Sequence, residues 1–147
     1  MPEKNGSITW LFLVYRIPRE PSAGRVFTWR KLQQLGAISL QDAIWVLPNT
    51  PRTQEQLQWL VTEIKELKGE ATLWEAQAVS VPDGDQLRKQ FVESVEGEYR
   101  EIIAALKTKD RDLGILSKRF QVAQSKDFFA SALGLKTREK LLAAGGE

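Results

Sequence analysis

Between Arg16 and Lys31 the chain carries five basic residues, Arg16, Arg19, Arg25, Arg30 and Lys31, against the single acid Glu20, in a protein of 147 residues whose net charge is only +2. Guanidinium groups present paired, planar N–H donors, so a cluster of this kind suits a tetrahedral oxyanion or a nucleic-acid phosphate. A helix beginning near Ser22 would add backbone donors and a favourable dipole. The same residues also read as a solvated loop and helix face, because exposed arginines are ordinary. A second polar group, Gln41 and Asp42, interrupts an otherwise apolar hairpin; these residues either form its turn or line a pocket with Trp45. Further along, Lys118, Arg119 and Lys126 read as a solvated helix face.

The residue types that are missing narrow the chemistry. The sequence has no cysteine and no histidine, which removes disulfides, thiolate metal sites, a cysteine nucleophile and the commonest general base. No glycine-rich phosphate cradle is evident. We therefore expect no catalytic residue, no metal site and no cofactor. The longest apolar run, Ile8 to Tyr15, is far short of the ~18 residues a membrane span needs, and Met1 to Ser7 carries no positive leader before a long apolar stretch. A cytoplasmic protein with no membrane partner is the expectation. At 147 residues and 42% hydrophobic, one proper core with a helical appendage is affordable.

These side chains must be positioned by regular elements. Ile8 to Tyr15, apolar, aromatic and β-branched, reads as a central strand that delivers Arg16 and Arg19 to its rim. Ser22 is placed to cap a helix bearing Val26, Trp29, Leu32 and Leu35, and Gly36 to end it. Ala37 to Gln41 and Ala43 to Leu47 form a hairpin turning at Asp42, closed by Pro48. Thr50 caps the next helix, with Pro51 in its first turn and Leu57, Leu60, Val61, Ile64 and Leu67 as its apolar stripe. A last strand runs from Glu70 to about Val79, with Ala71, Leu73 and Glu75 on one face and Thr72, Trp74 and Ala76 on the other. The resulting order, βαββαβ, is that of a ferredoxin-like α+β core with an antiparallel sheet over residues 1–80. The five tryptophans, Trp10, Trp29, Trp45, Trp59 and Trp74, are expected mostly inside it.

Residues 81–147 read as an α-helical extension. Asp83 can cap a helix carrying Leu87, Phe91, Val95, Tyr99, Ile102 and Leu106, and a second carries Leu113, Leu116, Phe120 and Ala123, with the break at Lys107 to Arg111. A short terminal helix spans about Thr137 to Ala144. The two stripes, with Phe128 and Phe129 beside them, must bury against each other, against the sheet's open face or against another subunit; a homodimer is expected.

The segments T-W-L-F-L-V-Y-R-I-P-R-E-P-S (Thr9 to Ser22), L-G-A-I-S-L-Q-D-A-I-W-V-L-P (Leu35 to Pro48) and K-D-F-F (Lys126 to Phe129) resemble the amino-terminal domain of ChrB, the chromate-resistance regulator family. That resemblance covers nearly the whole chain. It implies a chromate-linked role, either a transcriptional regulator domain that meets operator DNA or an oxyanion-binding resistance module that takes chromate or sulfate without nucleic acid. Without cysteine or histidine, sensing by thiol reduction of chromate cannot operate within this sequence. A more distant likeness, the V-Y-x-I-P ending of the first strand, runs to PaaX-type repressors and to the metal-dependent nuclease subunit of CRISPR adaptation. In the nuclease pattern position x is an aspartate that holds Mg²⁺; here it is Arg16, which repels a cation, with only Asp42 and Glu75 as nearby carboxylates. The expectation is a non-enzyme. A helix-turn-helix segment of the repressor kind is not evident, so any DNA contact needs another surface.

Overall fold

The computed structural model describes residues 8–41 and 44–145. The chain divides into two compact units, residues 1–84 and 85–147. In the first, β1 (Trp10–Arg16), α1 (Ala23–Leu35), β2 (Ile38–Gln41), β3 (Ile44–Pro48), α2 (Pro51–Glu66) and β4 (Glu70–Ala76) follow one another, and the strands form one sheet in the order β2-β3-β1-β4. Every pairing is antiparallel. This is the ferredoxin-like arrangement: β1, the most apolar segment, lies inside the sheet between β3 and β4.

The pleat separates two faces. Leu11 and Leu13 stand beside Leu47 and Trp45 on β3 and beside Glu75 and Leu73 on β4. Both leucines, with Leu47 and Ala71, are buried, as are Leu57, Leu60 and Ile64 of α2. The three α2 residues recur at helical spacing and close that core. The reverse face carries Phe12, Val14 and Ile44, half-buried, and Trp74, exposed.

α2 starts where its sequence demands. The Thr53 N–H donates to Thr50 Oγ1 at 3.0 Å and the Thr50 N–H donates back to Thr53 Oγ1 at 2.9 Å, a reciprocal cap with Pro51 in the first turn. The buried Thr53 hydroxyl also donates to the Pro48 carbonyl at 2.6 Å, fastening the helix to the end of β3.

α1 departs from the expected stripe. Gly24, Thr28 and Leu32, spaced four apart, form its buried face, and a Cβ on Gly24 would lie 3.5 Å from Leu67 and 3.6 Å from Ile17. At about 100° per residue that geometry turns Val26 and Trp29 outward, and they are 45% and 52% exposed. The small residues win the inner face because they let the helix approach closely. Ser22 precedes α1 without a side-chain cap, whereas Gly36 ends it in the left-handed conformation expected, at φ 87°. Two further expectations are corrected. β4 stops at Ala76, three residues before Val79, and of the five tryptophans only Trp10 and Trp45 are buried, Trp59 and Trp74 being 65% and 59% exposed with Trp29.

The second unit is built on α3 (Val81–Leu106), α4 (Leu113–Ser125) and α5 (Ala132–Gly145). α3 opens earlier than an Asp83 cap would allow: the Asp83 N–H donates to Ser80 Oγ at 3.2 Å, so Ser80 holds the helix start and Asp83 lies in its first turn. Asp112 caps α4, accepting the Ile115 N–H at 3.1 Å. Val95, Tyr99, Ile102 and Leu106 of α3 bury against Leu116, Phe120 and Ala123 of α4, with Leu133 and Leu141 of α5 packed around them. The apolar stripes are thus spent on this unit's own core. Phe128 meets Phe91 edge to face at 5.8 Å between ring centroids, and the Arg88 guanidinium lies 5.0 Å from the centre of the Phe129 ring. α5 begins five residues before the expected Thr137, because Ser131 caps it: Ser131 Oγ accepts the Leu133 N–H at 3.2 Å. Among the described residues, no helix is long and apolar enough to cross a membrane.

Candidate functional site

The basic residues occupy the end of β1, the following loop and α1. Arg16, the last residue of β1, lies in register opposite Glu70, and its guanidinium meets that carboxylate at 2.9 Å in full view of solvent. Its charge is therefore largely matched at home. Arg19 lies exposed in the β1–α1 loop, and Arg25 is exposed in the first turn of α1. Arg30 is exposed and Lys31 half-buried farther along the same helix. From Arg25 to Lys31 the helix rises about 9 Å and turns by more than one and a half turns, so these cations form a spread surface around α1 and not a convergent cage. Val26 and Trp29 lie exposed among them.

Arg25 has a second relationship that the sequence does not signal. Its guanidinium acts on the Tyr15 phenol, which lies on the same sheet face as Trp45. Burial raises the Tyr15 pKa above the ordinary phenol value, while the nearby Trp45 indole and the Arg25 charge pull in the opposite direction. The Trp45 Nε1–H is buried and, although close enough to favour the phenolate, has no acceptor in hydrogen-bond geometry among the described residues.

Gln41 is exposed at the end of β2, opposite Ile44, just past the irregularity that separates it from Ser39. Trp45, by contrast, is buried within the sheet. Asp42 lies outside the described residues. On the second unit, Arg119 donates to Glu101 at 3.0 Å and Lys126 pairs with Glu98 at 2.9 Å, the lysine side chain being only 16% exposed. Lys118 and Arg119 are exposed, as a solvated face requires, and Lys126 alone departs from it, its side chain drawn in against α3. Among the described residues no group of three histidine, cysteine, aspartate or glutamate side chains could hold a metal ion.

The chain matches the family described as Protein ChrB, N-terminal, over residues 25–132. The match begins at Arg25, inside α1, leaves β1 outside and runs through β2, β3, α2, β4, α3 and α4 to the start of α5. Protein ChrB of Cupriavidus metallidurans (strain ATCC 43123 / DSM 2839 / NBRC 102507 / CH34) is 33% identical over 87 residues, which is 59% of this chain and 27% of that protein. The chain thus spans well under two thirds of the length of this relative. No solved structure matches. A domain match across most of the sequence, carried on a ferredoxin-like sheet and a three-helix unit, assigns the chain to the ChrB N-terminal family.

Proposed function

We propose that this chain is a non-enzymatic regulatory domain of the chromate response that contacts DNA through the outer surface of α1 and the loop before it. The observation that carries this reading is the distribution of Arg19, Arg25, Arg30 and Lys31 along and around that helix, with Trp29 and Val26 exposed between them. A single tetrahedral dianion calls for donors converging within a few ångströms. A duplex offers one phosphate per ~3.4 Å of axis on each strand, and cations spread over about 9 Å fit that repeat better. Arg16, already matched by Glu70, is left out of the contact set.

Four cations that have no ion-pair partner among the described residues predict a log–log salt dependence of binding with a slope of about −3.6. Fluorescence anisotropy with a fragment from upstream of the protein's own gene, against unrelated DNA of equal length, tests this. Arg25→Ala with Arg30→Ala should reduce the slope to about −1.8 and weaken binding to both fragments. A salt-independent complex, or an unchanged slope in the double variant, overturns the assignment. The second reading is an oxyanion module, favoured by an Arg25 charge within electrostatic reach of the Tyr15 phenol and by the buried Trp45 Nε1–H that has no acceptor among the described residues. Calorimetric binding of chromate or sulfate that is lost in Arg25→Ala, with no DNA binding at low salt, would replace the first reading by the second. Addition of Mg²⁺ or Mn²⁺ should yield no cleavage of either fragment, since Arg16 occupies the place where a carboxylate would hold the ion.

A further inference from the structure

The sheet has two outer edges, and they are built differently. β2 is four residues long and its pairing slips between Ser39 and Gln41, a bulge of the kind that discourages further pairing. β4 is seven residues long, pairs with β1 in unbroken register from Glu70 to Ala76, and contains no proline. Its outer edge has no strand partner among the described residues. Beside it, between α2 and β4, opens a groove of about 460 Å³ whose lining includes Val61, Lys65, Ala71, Leu73 and the exposed Trp74. A seven-residue edge in unbroken register, without a strand partner among the described residues and with a groove of mixed apolar and polar lining along it, is a template for another strand.

We propose that β4 pairs antiparallel with β4 of a second copy of this chain, about a twofold axis through Leu73, so that two four-stranded sheets become one of eight strands. The sequence of the strand suits this register. Centred on Leu73, Glu70 faces the partner's Ala76, Ala71 faces the partner's Glu75, and Thr72 faces the partner's Trp74, so no two carboxylates are opposed. A slip of one residue in one direction sets Glu70 directly against the partner's Glu75, which like-charge repulsion disfavours. A slip of one residue in either direction would turn the helix-covered face of one sheet away from that of the other.

The register also joins two charges that have no ion-pair partner in their own chain among the described residues. Lys65 lines the groove next to Ala71. Residues opposite one another across an antiparallel pair project to the same face, so the partner's Glu75, facing Ala71, arrives on the side where Lys65 stands. Twofold symmetry makes the contact twice. On the reverse face Trp74, 59% exposed in the single chain, gains the partner's Thr72 as its direct cross-strand neighbour.

Sedimentation equilibrium over a wide concentration range gives the primary test, with far-UV circular dichroism to establish that each variant is folded. Lys65 and Glu75 are both exposed, so neither substitution should disturb the fold. The full chain should dimerise, and Glu75→Lys should raise the dimer dissociation constant by about tenfold or more, because each Lys65 then faces a like charge. The exchange Lys65→Glu with Glu75→Lys should recover the original constant to within about threefold. Because the sequence lacks cysteine, Leu73→Cys can be cross-linked cleanly with a short bis-maleimide, and a covalent dimer should form at the twofold axis. A monomer at every concentration overturns the proposal. So does a dimer indifferent to Glu75→Lys, or one that Leu73→Cys fails to trap.

Discussion

The Tyr99 hydroxyl donates to Asp127 Oδ2 at 2.8 Å, and the other oxygen of the same carboxylate accepts the Ser131 N–H at 2.9 Å. One side chain thereby ties the middle of α3 to the start of α5, while Ser131 Oγ donates to Glu96 at 3.0 Å and reinforces the link. The Asp127-Phe128-Phe129 segment is thus a structural clasp of the helical unit. Asp127→Ala leaves the buried phenol of Tyr99 and the Ser131 amide without their acceptor, and should cost about 2–3 kcal/mol of unfolding free energy. Tyr99→Phe removes one bond and leaves the Ser131 contact, and should cost about 1 kcal/mol. Urea denaturation measures both.

The same phenol gives the protein an alkaline limit. Burial, then the hydrogen bond to Asp127 and the charges of Asp127 and Glu98, push the Tyr99 pKa well above its ordinary value. A proton held more tightly in the folded state than in the unfolded one adds stability that is complete below the unfolded phenol pKa of about 10 and is lost as pH rises through the folded pKa. Tm should therefore hold to about pH 10 and decline beyond it, with a shallower decline in Tyr99→Phe. Tyr15 is shifted the same way, chiefly by burial. These are the two tyrosines of the sequence, so absorbance at the phenolate band should lag free tyrosine throughout the titration. A phenolate signal at the ordinary pH in the folded protein contradicts both shifts.

Two glycines should resist substitution for lack of room. A Cβ at Gly134 would lie 2.8 Å from Asp127 Oδ2 and 2.9 Å from the Tyr99 ring, and one at Gly69 would lie 2.6 Å from the Arg16 carbonyl oxygen and 2.9 Å from Ile64. Gly134→Ala and Gly69→Ala should each destabilise by about 1–3 kcal/mol, as overpacked interiors do. Gly97, with nothing within 4 Å of a built Cβ, lies inside α3, where alanine favours the helix; Gly97→Ala should stabilise by up to about 1 kcal/mol. Thermal melts of the three variants should separate them in sign.

What was legible in the sequence followed local chemistry. Thr50-Pro51 and the Leu57, Leu60, Ile64 spacing specify α2 almost residue by residue, and the alternation in β4 sorts its two faces as observed. Illegible features depended on contacts distant in sequence. Val26 and Trp29 repeat at helical spacing like any buried stripe, yet Gly24 and Thr28 take the inner face because Ile17 and Leu67 come close there. Gly69 marks a helix stop, but the left-handed residue is Lys68, at φ 68°, and the glycine is required instead for its nearness to the Arg16 carbonyl. In the candidate site, the exposed setting of Arg19 and Arg25 follows from their place after a buried strand. The pairing of Arg16 with Glu70, 54 residues apart, does not.

The uneven burial of the tryptophans makes the molecule its own optical reporter. Trp10 and Trp45 lie in the interior, whereas Trp29 on α1 and Trp74 on β4 are exposed to water and lie on different surfaces. A collisional quencher such as iodide should reach the second pair and spare the first. With Trp59→Phe in the background, an anionic ligand on α1 should shield Trp29 alone, and strand pairing at β4 should shield Trp74 alone, so that one emission spectrum distinguishes two unrelated binding events without an added dye.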